Sequence, residues 1–107
     1  MSEEEKDVES GSVLRPEYDE FPIIVKLRYP IRRGSGDKEV LIEELEISRR
    51  LQARDLLGIQ QSAMTFDDTV KIISRLTGQP RNNIELLDGK DMMKFSEIVN
   101  YFLGIGQ

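Results

Sequence analysis

The chain has 107 residues, a net charge of −5, and neither Cys nor His. That excludes disulfides, thiolate chemistry, the usual zinc and iron–sulfur ligand sets and any catalytic triad with an imidazole base; only carboxylate metal sites remain open. The length fits one small domain, and a chain with no 18-residue apolar run and an acidic start reads as a soluble intracellular protein with no membrane partner.

The charge is unevenly placed. Residues 1–20 carry Glu3, Glu4, Glu5, Asp7, Glu9, Glu17, Asp19 and Glu20 against Lys6 and Arg15, a net of −6, whereas residues 21–107 hold 12 acids and 13 bases. With few apolar residues and no period, residues 1–20 are expected to form a disordered acidic tail, followed by a single α+β domain over residues 21–107. A solubilising tail is the plain reading of such a charge run; an arm that mimics nucleic acid or inhibits a basic groove is the sharper one.

In Phe21–Tyr29, Ile23, Val25, Leu27 and Tyr29 alternate with Lys26 and Arg28, which predicts a half-buried strand ended by Pro30. Arg32–Lys38 is a Gly-rich, basic turn, and Glu39–Ile47 is a second strand whose phase break calls for a bulge near Glu43–Glu44. A two-stranded hairpin is marginal alone, so helices must cover its apolar face. A short helix is expected around Gln52–Leu57.

The segment Thr65–Gly78 predicts an amphipathic helix with Thr65 as N-cap, Gly78 as C-cap, and Phe66, Val70, Ile72, Ile73 and Leu76 on one arc. Pro80 suits the first position of a short helix through Leu86 or Leu87. Asp91–Leu103 predicts the last helix, with Asp88 and Asp91 as N-cap candidates and Met92, Phe95, Ile98, Val99, Phe102 and Leu103 facing inward. The expected fold is α+β: an N-terminal β-hairpin packed on a small bundle of three to four C-terminal α-helices.

Little in this pattern carries chemistry. Gly34-Ser35-Gly36 lacks the following Gly-Lys-Ser/Thr and the strand-to-helix context of a phosphate loop, and reads as a flexible hairpin tip. Glu43 and Glu44 would point to opposite faces of a strand, and Asp67 and Asp68 suit the positive end of a helix dipole, so neither pair suggests two-carboxylate catalysis. No nucleophile sits beside a base, and no catalytic, cofactor or metal residue is assigned. The candidates are partner-binding residues instead. Met93 and Tyr101 lie on the outer side of the last helix, at i and i+8, where they are chance exposures or anchors for a partner helix. Arg32 and Arg33, with Lys38, could touch an acidic partner from the hairpin tip.

Several segments, in order, resemble a known family. Leu27-Arg28-Tyr29-Pro30-Ile31-Arg32-Arg33-Gly34 is similar to an L-x-x-P-I-x-x-G hairpin signature, and Leu45-Glu46-Ile47-Ser48-Arg49 with Ala53 and Asp55 to a strand exit followed by a short-helix A-x-D. Ile73-Ser74-Arg75-Leu76-Thr77-Gly78 with Ile84 and Leu87 resembles an I-x-x-L-[TS]-G…I-x-x-L run, and Asp91 with Val99, Phe102 and Leu103 a D…V-x-x-F-L run. Over about residues 23–103 these resemble the small tail assembly chaperones of contractile-tailed bacteriophages and prophages. Arg50-Leu51 departs from that pattern where a Pro is expected, and the acidic tail lies outside it.

The resemblance implies a non-enzymatic protein with no cofactor that acts in the host cytoplasm and is absent from the mature virion. Its partner would be the long, helical, hydrophobic tape measure protein, held soluble until the tail tube polymerises. The chain's own frameshift-extended form and a second copy of itself are further candidate partners, and no nucleic acid is expected. Two alternatives come from other classes: a regulatory nucleic-acid-binding domain using the tip cations with Arg49, Arg50 and Arg54, or a structural tail component.

Overall fold

The computed structural model describes residues 15–104. Strands β1 (Ile23–Arg33) and β2 (Val40–Ile47) pair antiparallel in a two-stranded sheet. At its base Ile23 faces Ile47 and Val25 faces Leu45, and these four, with Leu27, are buried as the alternation predicts. The register then shifts. Lys26 pairs with Glu44 and Ile31 with Ile42, so Leu27–Pro30 stand opposite Glu43 alone.

The phase break near Glu43 is therefore absorbed by β1, not by a bulge in β2 as expected. Proline explains the choice: it has no N–H to give a ladder, and a bulge is where a strand tolerates that loss. Pro30 accordingly does not end β1, which resumes with Ile31, 2% exposed, and runs to Arg33. The turn beyond it needs Gly34. Its φ is 87°, and a Cβ there would lie 2.5 Å from the carbonyl oxygen of Lys38.

After β2 the chain turns through a short 3₁₀ helix, Ala53–Leu56, inside the span expected to be helical. Within it Asp55 is buried and accepts two hydrogen bonds from the Arg49 guanidinium, at 2.7 and 2.9 Å, and one from the Gln52 N–H at 2.7 Å. Helix α1 (Phe66–Thr77) starts at a reciprocal capping box: the Asp68 N–H donates to Thr65 Oγ1, and the Thr65 N–H donates to the Asp68 carboxylate. Gly78 closes it in the left-handed conformation. Val70, Ile72, Ile73 and Leu76 are buried. Phe66, placed on the same arc by periodicity, is the first residue of the helix and is 68% exposed. Arg75 donates to the carbonyls of Asp55 and Leu57, tying the corner to α1.

Helix α2 (Arg81–Ile84) is one turn long, with Pro80 just ahead of it as N-cap instead of at its first position. Helix α3 (Gly89–Leu103) is capped by Asp88, whose carboxylate accepts from the Lys90 N–H. The architecture is α+β, a hairpin covered by three helices among the described residues, as the pattern predicts.

Before β1, Pro16–Tyr18 forms a 3₁₀ turn, and the Tyr18 side chain is 2% exposed within the core. One large aromatic among the acids seats residues 16–18 on the domain. Residues 1–14 of the expected tail lie outside the described residues.

Candidate functional site

Helix α3 has two unlike faces. Met92, Phe95, Ile98 and Val99 point into the core and are at most 5% exposed. The opposite face carries Lys90, Met93, Lys94, Glu97 and Tyr101, and it forms one wall of a groove whose other wall is β1 at Ile24, Lys26 and Arg28. The groove has a volume of about 790 Å³.

Asp91 sets the distance between the walls. It is 5% exposed, and its two oxygens accept from the N–H groups of Arg28 and Tyr29, at 2.8 and 3.0 Å. Those amides are freed by the bulge in β1, because residues looped out of the register have no partner on β2. An N–H shielded from solvent and left unpaired costs free energy, and in these part-buried bonds the carboxylate satisfies what the bulge frees. The N-cap role expected of either Asp88 or Asp91 falls to Asp88 alone, which leaves Asp91 for this junction.

Arg15 also lines the groove, and Tyr18 packs beside it. The Tyr18 hydroxyl accepts from Arg15 and donates to Glu97, and Arg15 also pairs with Glu97 and Glu17. The Tyr18 and Tyr101 rings meet edge to face at 5.6 Å, and the Tyr101 hydroxyl donates to Asp19 at 2.7 Å. That bond to a carboxylate stabilises the protonated phenol and holds Tyr101 above the ordinary tyrosine range. The Lys94 ammonium lies 5.3 Å from the centre of the Tyr18 ring, and its proximity to Tyr18 raises it above the ordinary lysine range. Lys94 is a full cation at neutral pH.

Of the residues singled out by sequence, Met93 and Tyr101 come together in this groove, but in different states. Met93 is 67% exposed and open to a partner. Tyr101 is half-buried, with its ring and hydroxyl both engaged, so it is a wall of the groove more than an anchor. Arg32 and Arg33 sit on the hairpin tip, and neither lines the groove; Arg32 pairs with Glu39 at 3.1 Å. Two of the cations of the nucleic-acid alternative are engaged within the domain. Arg49 is taken by Asp55, and Arg50 pairs with Asp19 and lies over the Phe102 ring.

Pattern reading missed Ile24, Lys26, Arg28, Lys90 and Lys94 as site residues. The i,i+2 and i,i+4 spacings that put each pair on one face were legible, but only the fold places the two faces opposite each other.

No group of three or more acidic residues among the described residues is placed to hold a metal ion, and no helix among them is long and apolar enough to cross a membrane. No curated protein and no solved structure gives a significant match to the chain. A family model described as phage tail assembly chaperone proteins, E, or 41 or 14, matches residues 24–104, a span that holds the hairpin, the corner at Asp55, all three helices and nearly the whole groove. The chain therefore belongs to the phage tail assembly chaperone family.

Proposed function

We propose that this protein binds the tape measure protein during tail morphogenesis and keeps it soluble without catalysis, acting in the host cytoplasm and leaving no copies in the finished particle. The observation that carries the reading is the groove between β1 and α3 with Met93 exposed on its wall. A helical, apolar client needs a concave surface with a large, adaptable side chain to pack against, and a methionine in the open serves that purpose at little folding cost.

Co-expression with the tape measure protein tests it. The client is expected in the soluble fraction with the native chain and in the pellet without it; equal insolubility in both cases refutes the reading. Met93→Lys is the cleaner variant, since Tyr101 also supports Tyr18: the Met93→Lys chain should fold normally and retain less client. Mass spectrometry of purified particles separates a chaperone from a structural component. Stoichiometric copies of the chain in the tail would make it the latter.

A further inference from the structure

Both walls of the groove carry apolar and cationic side chains. Ile24, 45% exposed, on the β1 wall and Met93 on the α3 wall supply the apolar surface. Lys26 and Arg28 line one wall and Lys90 and Lys94 the other, and none of the four is in an ion pair among the described residues. The two carboxylates at the site are already used: Asp91 is satisfied by two backbone amides, and Glu97 by Arg15 and Tyr18. The excess positive charge is therefore available to a ligand.

Spacing narrows the ligand. Lys90 and Lys94 are one helical turn apart, about 6 Å along α3. Lys26 and Arg28 project from the same face of β1, two residues or about 7 Å apart. An extended segment presents one row of side chains per face and cannot offer an acidic row on each side of an apolar one. A helix can, with acids at i and i+4 bordering an apolar stripe. The α3 wall from Lys90 to Tyr101 is about 16 Å long, which matches three turns.

We propose that the groove takes an acidic amphipathic helix of about three turns from a partner chain, its apolar stripe on Ile24 and Met93 and its carboxylates between the two rows of cations. This deepens the proposed function by naming the chemistry of the client segment, and it rests on that reading.

The test uses the full chain and synthetic 15-residue helical peptides followed by fluorescence anisotropy. One peptide carries an apolar stripe bordered by glutamates at i,i+4, a second has lysines in their place, and a third is a proline-interrupted version of the acidic one. The acidic helix is expected to bind, with affinity that falls as salt rises; the other two are expected not to. Charge reversal in Arg28→Glu/Lys90→Glu, at two exposed side chains outside the core, should weaken binding about tenfold, and Lys90→Gln by less. Thermal unfolding reports whether each variant is folded. Equal binding of all three peptides, or no effect of the folded charge variants, overturns the proposal. So does tighter binding of DNA than of the acidic helix. A large gain in peptide affinity on Glu3, Glu4 and Glu5→Gln would make the chain's own acidic segment the occupant and overturn it too. In co-expression, a client kept soluble equally by the native and charge-reversed chains sinks this inference and leaves the chaperone reading standing. A client insoluble with both sinks the chaperone reading.

Discussion

Asp55 and Asp91 are both nearly fully buried, at 2% and 5% exposure, but the two regions they hold together compensate their charge differently. At the corner after β2, Asp55 faces the Arg49 guanidinium in a two-bond pair and caps the turn through Gln52. At the junction of α3 and β1, Asp91 takes only backbone N–H groups. The first arrangement consumes a cation and leaves a closed structural unit. The second fixes the geometry with amides and leaves Arg28, Lys90 and Lys94 for the groove beside it. A carboxylate held by the backbone amides of a neighbouring strand can build a site wall without using up the charge that the site needs.

Substitutions at the two aspartates break the comparison most directly. Asp91→Ala strands two part-buried donors and should cost about 2 kcal/mol in urea unfolding; Asp91→Asn, which keeps one acceptor, should cost less. Loss of stability within error for Asp91→Ala would mean that solvent reaches those amides. Asp55→Asn should cost about 2 kcal/mol, and it should also flatten the acid limb of the stability curve. The sign follows from the pair. Arg49 holds the Asp55 carboxyl below the usual carboxylate range, so its contribution is complete above the unfolded value of about 4 and disappears as pH falls through the lower folded value. The urea midpoint of the native chain should therefore drop below pH 4 more steeply than that of Asp55→Asn. Asp67 is lowered as well by Arg81, but this exposed pair is screened and contributes little to the limb.

Smaller effects sharpen the contrast. Thr65→Ala removes half of the α1 capping box and should cost about 1 kcal/mol, with no change at the groove. Met93→Lys should alter stability by about 0.5 kcal/mol or less, since the side chain is out in solvent, while reducing client retention. A large loss of stability there would move Met93 from the ligand side of the comparison to the fold side.

Most of the helical architecture was legible because local signals agree with one another. In α1 the Thr65–Asp68 box, the Val70–Leu76 stripe and Gly78 all specify the same twelve residues. Phe66 departs from the stripe because periodicity states a direction and says nothing of what packs against the first turn. The hairpin was legible as two strands, but its bulge was placed on the wrong one: the two apolar phases in β2 are real, and Pro30, taken as a stop, is what moves the extra residues to β1. Tyr18 was overlooked because composition averages over a window and one buried aromatic does not alter the average.

By itself the sequence determined the class of the molecule and the order of its elements, and through Leu27–Gly34, Leu45–Asp55 and Ile73–Gly78 it pointed to the family. It also excluded imidazole and thiolate chemistry outright. What only the tertiary structure decided is that Asp91, rather than capping α3, reaches the amides that the bulge frees 62 and 63 residues earlier, and so brings Lys26 and Arg28 across from Lys90 and Lys94. Periodicity reports which side chains share a face of one element. The joining of two faces depends on which buried hydrogen bonds must be satisfied, and that is a property of the packed chain.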